Sequence, residues 1–348
     1  MNESLDELYQ KLRQTISLYP EQLNQAWQDV NALEIPGEFS SVKNIVFCGM
    51  GGSALGARIV KAYSKEIMEI PFEIYTEYDL PKYVDEETLV ICSSYSGTTE
   101  ETVNCANQAL ERNVNTFFIT TGGDLANLAK EKNTPSYIID VKHNPSGQPR
   151  NAIGYATGAV LGLLAKAGLL PIGEPEIKSS IWAMKNAVAK NDEGAGGTSQ
   201  ELSKALVGKI PILVASEHML GIAHTIKNQF NESAKTFSAL FDLPELNHHL
   251  LEGLANPPEN KNLLYFVFFN SNLYSPRVEK RYPLTVDVVR QNNVPAYTYL
   301  PESSDKLSQI FETLVFGSFA VYHLTKRYSI NPEEIPWVDY FKKKLKEA

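Results

Sequence analysis

Cysteine is scarce: three in 348 residues, at Cys48, Cys92 and Cys105. Their separations fit neither a disulfide framework nor a metal-ligand pattern. Cys48 and Cys92 lie inside apolar runs, so they read as small core residues. Basic charge is also short: 32 Lys plus Arg stand against 41 Asp plus Glu, a formal net charge of −9. That argues against a general nucleic-acid binder, which carries a basic footprint. It does not exclude an anionic small ligand, because a local nest of N–H groups outweighs global charge. No apolar run is long enough to span a bilayer, so no membrane association is expected. Free thiols and the lack of a legible secretory leader point to a cytoplasmic protein. The composition, 43% hydrophobic and 21% charged, is that of a globular protein, with length for two domains or one large one.

Hydrophobic periodicity divides the chain. Leu5, Leu8, Leu12 and Ile16, then Leu23, Trp27, Val30 and Leu33, recur at helical spacing, with Pro20 separating two helices. A regular alternation follows. Strands are expected at Asn44–Cys48, Phe72–Tyr75, Leu89–Cys92, Asn115–Thr120 and Tyr137–Asp140, with helices near 54–64, 98–111 and 125–130 between them. Strands separated by helices mean parallel βαβ units in an open sheet, whose ligands bind at the carboxyl ends of the strands. His143-Asn144-Pro145-Ser146-Gly147-Gln148-Pro149 is a breaker-rich linker. Beyond it the pattern predicts helices at Ala152–Ala167 and Ile177–Lys190 and a flexible loop at Asn191–Thr198. Ile210–Ala215 opens a second βα series, with later strands at Leu263–Phe268 and Thr285–Val289, and Asp305–Arg327 reads as a long amphipathic helix. The segment Ile45…Leu55-Gly56 echoes Ile210…Leu220-Gly221 at a constant offset, which suggests two similar α/β domains.

Two turns leave carboxyl ends of expected strands. Ser93-Ser94-Tyr95-Ser96-Gly97-Thr98-Thr99 joins a strand to a helix start and offers five hydroxyls together with N–H groups at the positive end of a helix dipole, an arrangement suited to a phosphate. Thr98-x-x-Glu101 also fits a capping box, so part of the loop has a purely local explanation. Gly49-x-Gly51-x-x-Ala54 fits a dinucleotide fingerprint, but Ser53 adds a hydroxyl such a turn does not need. Glycine here more simply lets the backbone approach a sugar or phosphate. Arg150 follows the linker, where its guanidinium can meet a phosphate or a developing enediolate. Glu232, in Asn231-Glu232-Ser233, and His248, in Asn247-His248-His249, are a carboxylate and an imidazole suited to proton transfer. Either histidine of the pair fits that role. Lys306 opens the last helix, where a cation opposes the dipole unless an anion sits nearby.

Taken together, Gly49-Met50-Gly51-Gly52-Ser53, Ser94-Tyr95-Ser96-Gly97-Thr98-Thr99-Glu100-Glu101-Thr102, Pro149-Arg150, Asn231-Glu232 and Asn247-His248 resemble the bifunctional phosphoglucose/phosphomannose isomerase family, a branch of the sugar isomerase (SIS) domain superfamily. The resemblance runs in order from about residue 40 to the C-terminus. It implies an N-terminal helical arm (1–40), a first SIS domain that binds phosphate (41–150), connecting helices (151–200), a second SIS domain (201–304) and a C-terminal helix (305–348), each domain a mainly parallel sheet flanked by helices. It implies an enzyme of carbohydrate metabolism that interconverts glucose 6-phosphate, and mannose 6-phosphate, with fructose 6-phosphate, with no metal or other cofactor. By position, Ser94, Ser96 and Thr99 would hold the phosphate and Gly52 and Ser53 would line the sugar. Arg150 would stabilise the cis-enediolate and Glu232 would move the proton between C1 and C2. His248, supplied by the partner in a homodimer, would open the ring with Lys306. Thr98 stands where the family often has Asn. A non-catalytic SIS regulator would keep the Ser94–Thr99 loop and need neither Glu232 nor His248. An NAD-dependent enzyme would use Gly49–Ala54.

Overall fold

The computed structural model describes residues 3–192 and 196–347. The centre of the expected flexible loop, residues 193–195, lies outside them. The arm is two helices, α1 (Leu5–Ser17) and α2 (Tyr19–Ala32). Ser4 opens α1 with a capping box: its Oγ accepts the Glu7 N–H at 3.3 Å while Glu7 Oε2 accepts the Ser4 N–H at 2.7 Å. Pro20 falls in the first turn of α2, where its missing N–H has no helical partner to lose.

The first sheet is built from β1 (Asn44–Cys48), α3 (Gly52–Ser64), β2 (Phe72–Tyr75), β3 (Thr88–Ser94), α4 (Glu100–Glu111), β4 (Asn115–Thr120), α5 (Gly123–Lys132) and β5 (Ser136–Ile138). All pairs are parallel, in the order β2-β1-β3-β4-β5. Every residue of β3 is buried, as a central strand covered on both faces must be. α6 (Ile153–Lys166), α7 (Glu174–Asn191) and α8 (Thr198–Ala205) lead to the second sheet. It comprises β6 (Ile210–Ala215), α9 (Leu220–Glu232), β7 (Ala239–Asp242), α10 (Asn260–Leu263), β8 (Leu264–Phe269), α11 (Pro276–Gln291) and β9 (Ala296–Tyr299). The order is β7-β6-β8-β9, again parallel. The first strand of each series thus lies between the second and the third, so the echo between Ile45–Gly56 and Ile210–Gly221 has a topological counterpart.

Two expectations are corrected here. Thr285–Val289 is not a strand but part of α11, which buries Tyr282, Thr285 and Val289 at helical spacing; tertiary packing overrides the β-branched preference of that run. The Asp305–Arg327 helix is present as α12 (Lys306–Tyr328), but it is not amphipathic: every residue from Leu307 to Thr325 is buried. It runs through the middle of the molecule against α7, α8 and α9, with α1 on a further side. A short final helix, α13 (Pro336–Glu347), leaves Trp337, Tyr340 and Phe341 exposed. Among the described residues no helix is long and apolar enough to cross a membrane.

Burial pulls two histidines down, His218 to about 4 and His224, with Lys227 and Arg58 nearby, to about 3. His218 Nδ1 is buried without a partner. Both stay neutral in the fold where the unfolded chain takes up protons near the ordinary histidine value of about 6.5. The unfolded state therefore binds more protons between about pH 6.5 and 4, and stability is lost as pH falls through that window. Thermal melts should show Tm dropping between pH 7 and pH 5. The slope should be smaller in His218→Gln; an unchanged slope would refute the assignment.

Candidate active site

The loop between β3 and α4 is held open from within. Ser94 is fully buried; its Oγ accepts the Gly97 N–H at 3.0 Å and the Thr99 N–H at 3.4 Å and shares a hydrogen bond with Thr99 Oγ1 at 2.8 Å. Ser96 and Thr98 are exposed and pair with each other at 3.1 Å. The Thr98–Glu101 capping box does not form: Thr99 is the N-cap and no side chain caps α4. The first-turn N–H groups of α4 and the outward hydroxyls of Ser96 and Thr98 are thus left for an anion. Gly97 makes the bend with φ +73°, and a Cβ there would lie 1.8 Å from the Gly122 carbonyl oxygen. Gly97→Ala is expected to cost about 2 kcal/mol or more through that strain and clash, read as a lower Tm.

The turn between β1 and α3 packs on the same spot. Ser53 Oγ accepts the Tyr95 N–H at 2.9 Å, which ties the two turns together. Gly52 faces the linker: a Cβ there would sit 2.9 Å from Arg150 N. The space enclosed by Gly52, Ser53, Ser93, Tyr95 and Pro149 is only about 10 Å³, room for a water rather than a sugar. A sugar phosphate would therefore lie outside this crevice, over the exposed rim formed by Gly51, Ser96 and Thr98. Larger cavities lie elsewhere, one of about 630 Å³ between β2 and β7 and one of about 810 Å³ between α7 and β9.

Arg150 is 2% exposed and makes four side-chain hydrogen bonds and one ion pair. Nε donates to Ser233 Oγ at 3.1 Å and Nη1 to Gln148 Oε1 at 3.0 Å, with Glu232 Oε2 at 3.5 Å; Nη2 donates to the carbonyls of Pro332 at 2.6 Å and Glu333 at 3.1 Å. Burial pulls its pKa down and the Glu232 charge pushes it back; a guanidinium stays charged through this. Glu232 is the last residue of α9, so the helix carries the carboxylate to the edge of the linker, where its side chain is 31% exposed. Lys235 donates from Nζ to the Glu232 carbonyl at 2.7 Å, and burial together with Arg150 pulls its amine down to about 8. Burial raises the Glu333 carboxyl, whose Oε1 has no hydrogen-bond partner.

The Gly52–Ser53 turn thus adjoins both the Ser94–Thr99 loop and the Arg150 segment, and Arg150 meets Glu232, whereas His248 and Lys306 lie apart from them in this chain. His248 ends a short 3-10 turn, exposed like His249. Asn247 anchors that turn, donating to Thr285 Oγ1 at 2.8 Å and accepting from Arg281 at 3.0 Å. Lys306 pairs with Glu66 at 2.7 Å. Glu66 lies just beyond the C-terminal end of α3, whereas Gly52 opens that helix. Thirteen residues of helix span about 20 Å, so Lys306 stands at the wrong end of α3 to act on a sugar beside Gly52 of its own chain. The acidic partner that a first-turn lysine needs is Glu66. The linking residues Gln148, Ser233, Pro332 and Glu333 carried no sequence signal toward Arg150.

Two tandem parallel sheets with a hydroxyl loop at the carboxyl end of the first define a two-domain SIS protein. The SIS domain family matches residues 38–167, and the bacterial phospho-glucose isomerase C-terminal SIS domain matches residues 197–345. Among curated proteins, the bifunctional phosphoglucose/phosphomannose isomerase of Caldicellulosiruptor bescii is 28% identical over 94% of this chain and 97% of its own length. That of Aquifex aeolicus is 28% identical over 92% and 94%. The chain is thus similar over nearly its whole length to bifunctional phosphoglucose/phosphomannose isomerases and carries two SIS-type domains. Among solved structures, a hypothetical protein from Thermus thermophilus has the same fold, with a TM-score of 0.77 at 14% identity over 99% of this chain and 94% of that one.

Proposed function

We propose that this protein interconverts glucose 6-phosphate, and mannose 6-phosphate, with fructose 6-phosphate by proton transfer through a cis-enediolate. The observation that carries the reading is the Arg150–Glu232 pair, 3.5 Å from Nη1 to Oε2, set against Gly52 beside the hydroxyl loop. The phosphate is anchored by Ser96, Thr99 and the N–H groups at the start of α4, with Ser94 shaping that loop from beneath. The Glu232 carboxylate removes the C2 proton of the open-chain aldose. The C2–H electrons form the C1=C2 bond and the carbonyl oxygen takes the negative charge, which Arg150 offsets. A proton passes between the oxygens on C1 and C2, and Glu232 returns its own proton to C1 to give the ketose. The reverse reaction retraces these steps. Ring opening is assigned to His248 of a second copy in a homodimer, because in its own chain it stands exposed on the second domain. Lys306 is given no step in the site of its own chain.

A coupled assay of glucose 6-phosphate formed from fructose 6-phosphate, and the same with mannose 6-phosphate, tests the reading. Turnover of neither sugar would overturn it in favour of a binding-only protein. The shared site has its own test. Glu232→Gln and His248→Ala homodimers are both expected to be nearly inactive, while a randomised mixture regains about a quarter of the wild-type rate through one intact site in each mixed dimer. No regain would remove the partner histidine.

A further inference from the structure

The buried face of the N-terminal arm is not wholly apolar. Thr15, Tyr19 and Gln22, four and three residues apart, are each 0% exposed. Buried polar groups are costly unless paired, and the partners of these three share one address. Thr15 Oγ1 accepts the Ser146 N–H at 3.0 Å. Gln22 donates from Nε2 to the carbonyls of His143 at 2.9 Å and Asn151 at 3.0 Å, and its Oε1 accepts the Gly154 N–H at 3.1 Å. The arm therefore holds backbone on both sides of Arg150. Tyr19 OH accepts from Gln229 Nε2 at 3.2 Å; the other N–H of that amide goes to the Arg150 carbonyl, also at 3.2 Å. Gln229 precedes Glu232 by three residues, just under one turn of α9. Ser318 of α12 completes the network, donating to Gln229 Oε1 at 2.8 Å. A Cβ at Gly154 would fall 2.6 Å from the Tyr19 carbonyl oxygen, so α2 lies directly on the Arg150 segment.

One amide thus joins the backbone of the arginine to the helix of the carboxylate, and the arm braces that junction from behind. We propose that Gln22 and Tyr19 are positioning residues: they hold Arg150 in register with Glu232, so they act on turnover and leave substrate affinity alone. The proposal rests on the reading of Arg150 and Glu232 as the reacting pair. Gln22→Met keeps length and apolar bulk while deleting three hydrogen bonds. It is expected to lower kcat about tenfold with KM unchanged, since small misplacements of a reacting pair cost rate steeply. Tyr19→Phe, which loses one hydroxyl inside a packed ring site, is expected to lower kcat by about threefold on the same grounds.

The decisive readout is coupling. In an Arg150→Lys background the Gln22→Met loss should shrink below about twofold, because residues acting through one group are not additive. Overturning results are an unchanged kcat in both variants, a loss carried by KM, a loss that follows only the unfolded fraction in a thermal melt, or a full tenfold loss persisting in Arg150→Lys. If Gln22→Met does not fold, Tyr19→Phe and its Arg150→Lys double variant carry the test. If the wild type isomerises neither sugar, the functional reading fails separately. The grip is then read by hydrogen exchange: faster exchange at Gly154 in Gln22→Met, with β3 unchanged, supports it, and unchanged exchange at Gly154 overturns it.

Discussion

Glu232→Gln is expected to lower kcat for fructose 6-phosphate isomerisation on the order of 10²–10⁴-fold while KM changes little, because the lost function is that of a general base. The substitution keeps size and leaves an oxygen facing Arg150 Nη1, where the carboxylate stands at 3.5 Å, but an amide cannot take the proton from C2. The phosphate loop lies on other elements, β3 and α4, so binding of the sugar phosphate should survive. Stability should hardly change. The Glu232 side chain is 31% exposed, and Arg150 keeps its bonds to Ser233, Gln148, Pro332 and Glu333. The same experiment in deuterated water sharpens the result. Wild type should place deuterium at C2 of the aldose, and the variant should slow label exchange as much as net isomerisation. A variant retaining half the wild-type rate would remove Glu232 from the chemistry. A wild type that binds sugar phosphate without exchange would favour a regulator instead.

Strands buried in the middle of parallel sheets were readable because burial on both faces makes them short apolar runs bounded by breakers. Asn44–Cys48, Asn115–Thr120 and Ile210–Ala215 match to the residue, and so does Phe72–Tyr75, although it is a partly buried edge strand. β7 and β9 are only partly buried edge strands, so their sequences lack that contrast. The β-branched run at 285–289 misled in the opposite sense, because helical burial at Tyr282, Thr285 and Val289 outweighed local preference. At the site, the hydroxyl loop and the glycine turn were legible as local chemistry beside a helix start. What makes Arg150 rigid was not, because its acceptors at Pro332 and Glu333 stand 182 and 183 residues away, and no local rule points to a backbone carbonyl. The setting of Lys306 was hidden for a related reason: the anion that balances it, Glu66, is 240 residues distant in sequence. Thr15, Tyr19 and Gln22 went unread among the apolar positions of the arm, although polar residues on the inward stripe of a helix must find partners.

Arg150→Lys should separate charge from geometry. A lysine keeps the positive charge but has three donors on one nitrogen where arginine has five in a planar fork. It cannot serve Ser233, Gln148, Glu232 and the carbonyls of Pro332 and Glu333 together. At least two buried acceptors would then go unpaired, at about 1–3 kcal/mol each, so Tm should fall clearly, but by less than for loss of the charge altogether. The rate should fall further than stability implies. On the proposed mechanism the enediolate oxygen would develop its charge beside a cation already fixed in place, and a preorganised donor of that kind is worth about 10²–10³-fold in kcat. A flexible ammonium drawn toward Glu232 would have to be repositioned in each turnover. Kinetics at a temperature where far-UV circular dichroism shows the variant fully folded make the comparison clean. A kcat within about threefold of wild type there would mean that charge alone suffices and that the hydrogen-bonded fork is only structural. A hundredfold loss with KM nearly constant would place the fork in the transition state.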